Sequence, residues 1–317
     1  MTESKVTLSI IIVSYGTAKL TSETVASIEK NYPKEVASGA YEIFVSDNDS
    51  PDNTLEVLTD YKKTSKIKFL HIIDNKKNLG FAKGNNVAVG KAKGKYVLFL
   101  NPDTVVYPNT LTTLIAFMEA HPDAGAATCK IEIPSGGIDE ASHRGFPTPW
   151  NAFCHFSGFE KLFPRSRLFA GYTRGWEDFE KVHTVPAIVG AFMFVRKEAG
   201  EAIGWWDEDY FFYGEDLDFC YMLGVKGWKI YYVPSVAILH YGGVSSGIKK
   251  QSQTITTANI ERKIRMQNAR FDAMRIFYQK HYVEKYPRFL TWAVMQGINY
   301  LHKKNTPKLA IDNKPVS

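Results

Sequence analysis

The first hundred residues alternate between short apolar segments and more polar segments, and this alternation restricts the fold more than any other feature. The apolar segments are rich in β-branched and aromatic side chains, which favour strands. Strands that alternate with helices imply a right-handed parallel βαβ core with helices on both faces of the sheet, and hence an α/β fold. The predicted strands are residues 6–13, 41–45, 67–73 and 96–100, and the predicted helices are residues 19–31, 54–63 and 82–89.

The remainder of the chain differs in character from this core. Residues 134–184 combine many aromatic, proline, glycine and arginine residues with little periodicity, which indicates a long insertion that forms a wall over the sheet. Residues 242–256 are polar and contain glycine, which is typical of a mobile loop. The predicted strands here are residues 126–133, 188–195, 229–233 and 237–239, and the predicted helices are residues 110–120, 215–223 and 259–282.

Composition narrows the class of protein. The chain has 317 residues, of which 44% are hydrophobic and 23% charged, so it is able to bury a large core. A net charge of +6 allows an anionic ligand or a membrane surface but does not indicate nucleic acid. Cys129, Cys154 and Cys220 are widely spaced, which predicts reduced thiols without a disulfide framework or zinc site. Without a signal peptide or a spanning segment, the sequence predicts a cytoplasmic protein.

Polar clusters follow three of the predicted strands. The clusters are SYG after the first strand, DNDS after the second and NPD after the fourth. Ligands of open α/β sheets bind beyond the carboxyl ends of the strands. Caps and turns explain any one cluster, since Ser, Asp and Asn favour them, but three clusters at one edge favour a binding site. The sequence contains neither a G-x-G-x-x-G fingerprint nor a Walker A motif, which disfavours a dehydrogenase.

Asp103 is a candidate ligand for a metal ion. Pro102 restricts the backbone at the end of the preceding strand and directs the carboxylate out of the sheet. A carboxylate there is able to hold Mg²⁺ or Mn²⁺, which in turn neutralises a diphosphate. Taken alone, Asp103 is equally well explained as the cap of a turn.

A second cluster of polar residues follows the aromatic run YFFY. Glu215, Asp216 and Asp218 open a predicted helix directly after Gly214. Acidic residues stabilise a first helical turn through the dipole, but three carboxylates exceed what a cap needs. Crowded carboxylates in an aromatic cleft make effective general bases, because burial and like charge raise a pKa. His240, at the end of a later strand, is either a core histidine or a metal ligand.

These segments together resemble a known family. In order, the motifs are IIIVSYG, VSDNDSPDN, NKKNLGFAKGNN, LFLNPD, VGAFMFVRK, FFYGEDLDFC and ILHYGG. They are similar to those of the large inverting glycosyltransferase family two, whose GT-A fold has a Rossmann-like, mostly parallel central sheet. The branch with the greatest similarity is the rhamnosyltransferase-like one, which builds bacterial surface polysaccharides. The resemblance covers about residues 6–245, and the run RFDAMRIFYQKHY resembles the C-terminal helix of that branch.

The resemblance implies a role for particular residues. Asp216, next to Glu215, would deprotonate the acceptor hydroxyl, and Asp103 with His240 would hold Mg²⁺ or Mn²⁺. Asp47 would contact the base, and Gly190 and Ala191 would border the donor sugar and the acceptor. The complete set of implied donor-binding residues is Ser14, Tyr15, Asp47, Asn48, Asn78, Gly80, Phe81, Asn85, Asn101, Asp103, Gly190 and Ala191.

Two positions depart from the family pattern. Asn101 replaces the first acid of the D-x-D motif, which weakens the case for tight metal binding. Lys83 stands where relatives often have a small residue, so it either contacts phosphate or faces solvent.

The implied function is metal-dependent inverting transfer of a sugar. The expected donor is dTDP-rhamnose or a UDP-sugar, and the expected acceptor is a hydroxyl of a bacterial saccharide linked to polyprenyl diphosphate. The alternatives are another hexosyltransferase of the same fold and a non-catalytic saccharide-binding scaffold. A nucleotidyltransferase is disfavoured, since the loop after the first strand lacks the Gly-rich basic character that such enzymes need.

The expected domain organisation has three parts. Residues 1–245 form the nucleotide-sugar-binding and catalytic domain, with the insertion at residues 134–184 as a wall of the acceptor site. Residues 246–303 form a loop and C-terminal helices, and residues 304–317 are predicted to be a disordered tail. Within residues 288–304, aromatic residues with basic flanks predict peripheral contact with the inner face of the cell membrane. Packing on the domain or a dimer contact is an equally good explanation of this segment.

Overall fold

The computed structural model describes residues 6–242 and 259–311. A central sheet of nine strands organises the fold. Three of its strands are buried along their whole length, as expected for strands with cover on both faces. The strands are β1 (Leu8–Ser14), β2 (Tyr41–Asp47), β3 (Leu70–Asp74), β4 (Tyr96–Leu100), β5 (Thr104–Val106), β6 (Ala124–Glu132), β7 (His183–Thr184), β8 (Phe192–Arg196) and β9 (Lys229–His240).

The sheet has the strand order β3-β2-β1-β4-β8-β6-β9-β5, with β7 paired to β9. Strands β3, β2, β1 and β4 are parallel, which confirms the predicted α/β class and its βαβ core. The second half is mixed: β8 is antiparallel to both of its neighbours, and β6 is parallel to β9.

Helices cover both faces of the sheet. One apolar layer lies under α1, α3 and α5, and the other lies under α4, α8 and α9. The helices are α1 (Ala18–Asn31), α2 (Pro33–Ser38), α3 (Thr54–Thr64), α4 (Phe81–Val89), α5 (Thr110–Ala120), α6 (Pro149–Ser157), α7 (Phe159–Leu162), α8 (Lys197–Ile203), α9 (Glu215–Val225), α10 (Ile260–His281) and α11 (Arg288–Ile311). No helix within the described ranges is both long and apolar enough to cross a membrane.

Strand β9 is longer than either of the two strands predicted in this region. It runs through Pro234, and its register against β6 shifts between Cys129 and Lys130. Proline has no N–H to donate to a ladder, so a bulge there lets one strand continue where the sequence predicts two.

The C-terminal region is helical further than predicted. Helix α11 is assigned through Ile311, so it overlaps residues 304–311 of the tail that the sequence predicts to be disordered. Side-chain bonds back to the preceding turn, from Asn305 to Leu301 and from Thr306 to His302, support this extension. Helix α10 agrees with the predicted helix at residues 259–282, whereas most of the predicted loop at residues 242–256 lies outside the described residues.

Candidate active site

A cavity of about 510 Å³ lies at the carboxyl ends of β1 and β4. Helices α9, α10 and α11 and the insertion at residues 134–184 close it from the other sides. The cavity brings together most of the residues that the sequence nominates. Those that line it are Tyr15, Asn48, Asn78, Gly80, Phe81, Asn101, Asp103, Gly190, Ala191, Glu215, Asp216 and His240.

Asp103 and His240 form a buried pair at this cavity. Strand β5 is antiparallel to β9, and Thr104 lies opposite His240 in the register. Asp103, which precedes Thr104, is therefore held beside His240. The N–H of Tyr241 donates to the backbone carbonyl of Asp103. His240 Nε2 lies 3.3 Å from Asp103 Oδ1, and both side chains are about 95% buried.

The surroundings of this pair suit a divalent cation. Asp139 Oδ2 lies 3.7 Å from His240 Nδ1, on the far side of the ring from Asp103. A carboxylate at this distance adds negative charge beside the ring, which favours a cation at the pair. Across the described ranges no three acidic, histidine or cysteine side chains come close enough to hold an ion by themselves. Two protein ligands nevertheless fit Mg²⁺, which usually retains water and substrate phosphates in its coordination shell.

Asp216 is fixed in the first turn of α9 by three donors. The Arg144 guanidinium donates from Nη2 to Oδ2 over 2.6 Å, and the Gly190 N–H donates to the same oxygen over 3.3 Å. The Leu217 N–H donates to Oδ1 over 2.8 Å. Burial opposes the charge of Arg144, but Asp216, Tyr172 and Cys220 together outweigh it, so the pKa of the guanidinium stays above its ordinary value. The carboxylate is therefore held in one orientation at the cavity wall.

Glu215, the neighbouring acid, is in a different environment. Its side chain is buried, and Oε2 has no hydrogen-bond partner among the described residues. Burial, and then the charge of Asp216, raise the pKa of the Glu215 carboxyl. The Glu215 carboxyl therefore holds a proton more tightly than an ordinary glutamate does.

The loop before α4 forms the opposite wall. Asn48 donates to the carbonyl of Gly80 over 2.8 Å and accepts from Asn75 over 2.9 Å. Gly80 has φ +80°, and an added Cβ there would lie 2.3 Å from the carbonyl oxygen of Phe211. Only glycine permits both this backbone conformation and this close approach. The aromatic segment before α9 is thereby joined to the loop after β3.

Three of the nominated residues do not line the cavity. Ser14 bonds to Thr17 and Thr21, while Asn85 donates to the carbonyl of Phe81 within its own helix. Asp47 accepts from the backbone and the hydroxyl of Ser50. Burial raises the pKa of Asp47 despite these bonds. Ser14 and Asp47 thus stabilise the turns after β1 and β2, whereas Asn85 stabilises the first turn of α4.

Three arginines at the cavity, Arg144, Arg262 and Arg270, are absent from the sequence prediction. Arg144 lies in the aperiodic insertion, where no pattern distinguishes it from its neighbours. Arg262, in the first turn of α10, places its guanidinium 4.1 Å from the centroid of the Tyr15 ring. Burial raises the pKa of Tyr15, but hydrogen bonds to Arg262 and Asn78 outweigh it and the net shift is downward. Helix α10 therefore adds positive charge to the side of the cavity that the strand ends form.

The two departures from the family pattern have clear positions. Asn101 Nδ2 lies 3.2 Å from His240 Nε2, so an amide contacts the histidine where the family places its first acid. Lys83 is about half exposed and lies 3.1 Å from Glu208, and its side chain does not line the cavity.

The fold is that of the GT-A glycosyltransferases. The backbone is similar to that of the mannosyltransferase PcManGT from Pyrobaculum calidifontis in complex with GDP-Man and Mn²⁺, with a TM-score of 0.55. The superposition covers 97% of this chain and 88% of that one, at 16% sequence identity. The model of Glycosyl transferase family 2 matches residues 9–179, and that of Glycosyl transferase family group 2 matches residues 96–296. The chain belongs to glycosyl transferase family 2.

Two curated relatives act as rhamnosyltransferases. Rhamnosyltransferase WbbL of Escherichia coli is 29% identical over 171 residues, which cover 51% of this chain and 61% of WbbL. N-acetylglucosaminyl-diphospho-decaprenol L-rhamnosyltransferase of Mycobacterium tuberculosis is 26% identical over 252 residues, which cover 76% of this chain and 78% of that protein. This chain thus spans less than two thirds of the first of these relatives. Their similarity supports the rhamnosyltransferase-like branch that the motifs indicate.

Proposed function

We propose that this protein transfers a sugar, L-rhamnose in the first instance, from a nucleoside diphosphate to a hydroxyl of a lipid-linked bacterial saccharide. The observation that carries the proposal is the convergence on one cavity of the Asp103–His240 pair and the carboxylate of Asp216. The names of the two relatives support rhamnose as the sugar. The other candidates are a UDP-hexose donor with the same chemistry and a scaffold that binds saccharides without transfer.

The acidic end of α9 would serve the acceptor. An acceptor oxygen attacks the anomeric carbon from the face opposite the leaving diphosphate, and Asp216 takes the proton from that oxygen. Arg144 keeps the Asp216 carboxylate in one orientation, and it also balances the charge of a buried site. A single displacement of this kind inverts the anomeric configuration. General-base assistance typically contributes about 10²–10⁴-fold to the rate.

The other end would serve the donor. Asp103 and His240 would hold Mg²⁺ or Mn²⁺, which supplies positive charge against the diphosphate when bound. Tyr15 and Asn78 line the same cavity, and Arg262 lies over Tyr15. An aromatic ring with an arginine over its face suits a nucleotide, whose base stacks and whose phosphates are anionic. Gly190 and Ala191 lie between this end and Asp216, where the transferred sugar would be placed.

The acceptor side of the cavity is apolar. Phe156 from the insertion, Met274 and Phe277 from α10, and Val294 and Ile298 from α11 line it. A saccharide carried on a polyprenyl diphosphate presents both a hydroxyl and a hydrocarbon chain to such a surface. On α11, Phe289 and Trp292 are 75% and 66% exposed, in support of the predicted membrane contact of residues 288–304. We therefore place the protein at the cytoplasmic face of the membrane.

A transfer assay separates the candidate functions. Each reaction contains the protein and one acceptor, a short-chain polyprenyl-diphosphate-linked N-acetylglucosamine. Parallel reactions differ only in the donor, which is dTDP-rhamnose, UDP-glucose or UDP-N-acetylglucosamine. The expected result is a product heavier by one deoxyhexose with dTDP-rhamnose alone, detected by mass spectrometry. A product from a UDP-sugar would replace the donor assignment. Binding of the saccharide with neither transfer nor donor hydrolysis would favour the scaffold.

A further inference from the structure

Residues 150–168 carry an unusual concentration of exposed apolar side chains. Half of the large hydrophobic side chains that are exposed among the described residues lie in this stretch. The members that lie outside the cavity define what we call the α6–α7 aromatic surface. They are Trp150, Phe153, Phe159, Leu162, Phe163 and Leu168.

The rings of this surface pack on one another. Phe169 lies 5.8 Å from Phe159 and 5.1 Å from Phe163, measured between ring centroids. Trp150 lies 5.8 Å from Phe153 and is fixed by a bond from its indole N–H to the carbonyl of Leu168. None of these rings belongs to the hydrophobic clusters under the sheet. The surface is therefore ordered by its own contacts, and its outer side faces solvent.

The exposed charges within residues 149–169 are all positive. Lys161, Arg165 and Arg167 are exposed between the apolar residues of the surface. The single acid of residues 149–169 is Glu160, which is buried against His155 at 3.0 Å. Exposed aromatic and aliphatic side chains with interspersed cations are typical of surfaces that lie in the headgroup region of anionic lipids.

The surface adjoins the cavity. Ala152, His155 and Phe156 on α6 line the cavity, as do Val294 and Ile298 on α11. Exposed aromatic residues of both helices are therefore close in sequence to residues that line the same cavity.

We propose that the α6–α7 aromatic surface is a docking site for an anionic lipid bilayer. Trp150 and the phenylalanines would enter the interfacial layer, where amphipathic and aromatic side chains are favoured. Lys161, Arg165 and Arg167 would contact lipid phosphates. Binding of this kind weakens with salt, because its charge contribution is screened. Docking does not rest on the proposed sugar transfer, although it would bring a lipid-linked acceptor to the cavity.

Vesicle co-sedimentation tests the proposal. The full-length protein is mixed at low salt with vesicles of phosphatidylcholine containing about 30% phosphatidylglycerol, and with vesicles of phosphatidylcholine alone. The test variant combines Phe153→Ser, Leu162→Ser and Leu168→Ser. A second variant combines Arg165→Glu and Arg167→Glu. The control is Val225→Ser on α9, which is 62% exposed and lies outside the surface.

The expected result is preferential binding of the wild type to the anionic vesicles. The triple and charge-reversed variants should each bind at least about tenfold more weakly, whereas the control should bind like the wild type. Equal vesicle binding of the triple variant and the wild type would overturn the proposal. A further variant combines Phe289→Ser and Trp292→Ser on α11, and loss of binding in that variant alone would overturn the proposal as well. A wild-type dimer that the triple variant converts to a monomer would assign the surface to self-association instead. Unfolding midpoints confirm that each variant is folded.

The vesicle-binding test and the sugar-transfer test can each give a negative result without the other. None of the substituted side chains lines the cavity. Turnover with a soluble acceptor should therefore stay unchanged in the triple variant, even if it no longer binds vesicles. Absence of transfer in every form, with vesicle binding intact, would contradict the proposed function and leave the docking surface in place.

Discussion

Two adjacent acids at the start of α9 have opposite surroundings. Asp216 accepts from Arg144 and from two backbone N–H groups, whereas one oxygen of Glu215 lacks a described partner. The sequence shows that both acids open a helix, but it does not show which one an arginine contacts. That contact spans 72 residues along the chain, and its donor lies in an insertion without periodicity. Long-range pairs of this kind were not accessible to pattern analysis.

Replacing Asp216 tests its assignment as the base. Asp216→Asn keeps the shape of the side chain but removes its capacity to take a proton. Turnover should fall by about 10²–10⁴-fold, while the dissociation constant for the donor stays within about twofold. Initial rates of transfer and donor titration by calorimetry provide the two readouts. Asp123→Asn is the matched control, because Asp123 pairs with Lys229 at 2.8 Å away from the cavity. Near-normal turnover of Asp216→Asn would exclude the assignment.

Glu215 should make stability depend on pH. Its pKa is raised by burial and by Asp216, so the folded protein holds this proton more tightly than the unfolded chain does. That contribution to stability is complete below the ordinary carboxyl pKa of about 4.3, and it is lost as pH rises through the raised value.

Glu215→Gln removes this titration. The wild type should therefore lose stability relative to the variant as pH rises. The difference in free energy of unfolding, variant minus wild type, should be larger at about pH 8 than at about pH 5. Urea denaturation at the two pH values measures the difference. The same difference at both values would show that Glu215 does not titrate as its surroundings imply.

The pairing register of β5 and β9 positions the Asp103–His240 pair of the site. Thr104 opposite His240 is the pairing that sets Asp103 beside the histidine. The sequence predicts β1, β2, β4 and most helices close to their observed positions, because their apolar patterns are regular. It does not predict the pairing of β5 with β9. Partners far apart in sequence leave no local pattern, so the proposed metal-binding role of the pair rests on family resemblance rather than on periodicity.

Helix α10 is attached to α9 by a buried polar contact. His281 Nε2 lies 2.6 Å from Asp218 Oδ1, which also accepts from the Tyr210 hydroxyl over 3.2 Å. Burial, and then the charge of Asp218, raise the pKa of Tyr210. The third acid at the start of α9 thus holds the C-terminal helices on the domain.

Removing the histidine should destabilise this attachment. His281→Ala leaves the buried Asp218 carboxylate with fewer donors, which should cost about 1–3 kcal/mol of unfolding free energy. Hydrogen exchange along α10 should accelerate as well. Gln279→Ala, an exposed position on the same helix, serves as the control and should change stability by less than about 0.5 kcal/mol. Equal stability of both variants would show that the contact between His281 and Asp218 does not help to hold α10 on the domain.

The whole molecule joins three sources of functional groups at one cavity. Strand ends of the parallel half supply Tyr15 and Asp103, the first turn of α9 supplies Asp216, and helix α10 supplies Arg262. The general location was predictable, because ligands of open α/β sheets bind at the carboxyl ends of strands. The closure of the cavity by α10 and α11 was not predictable, because the apolar positions of a helix do not reveal which surface they cover.

We propose that this cavity binds a nucleotide sugar together with a divalent cation. The most direct test is a thermal-shift panel of dTDP- and UDP-sugars, each with and without Mn²⁺ or Mg²⁺, on the wild type and on Asp103→Asn. At about 100 times its dissociation constant, a ligand adds about 2.7 kcal/mol of stability. We expect one nucleotide sugar to stabilise the wild type only with metal, and to lose that effect in Asp103→Asn. If no nucleotide sugar stabilises the wild type with or without metal, the claim is wrong.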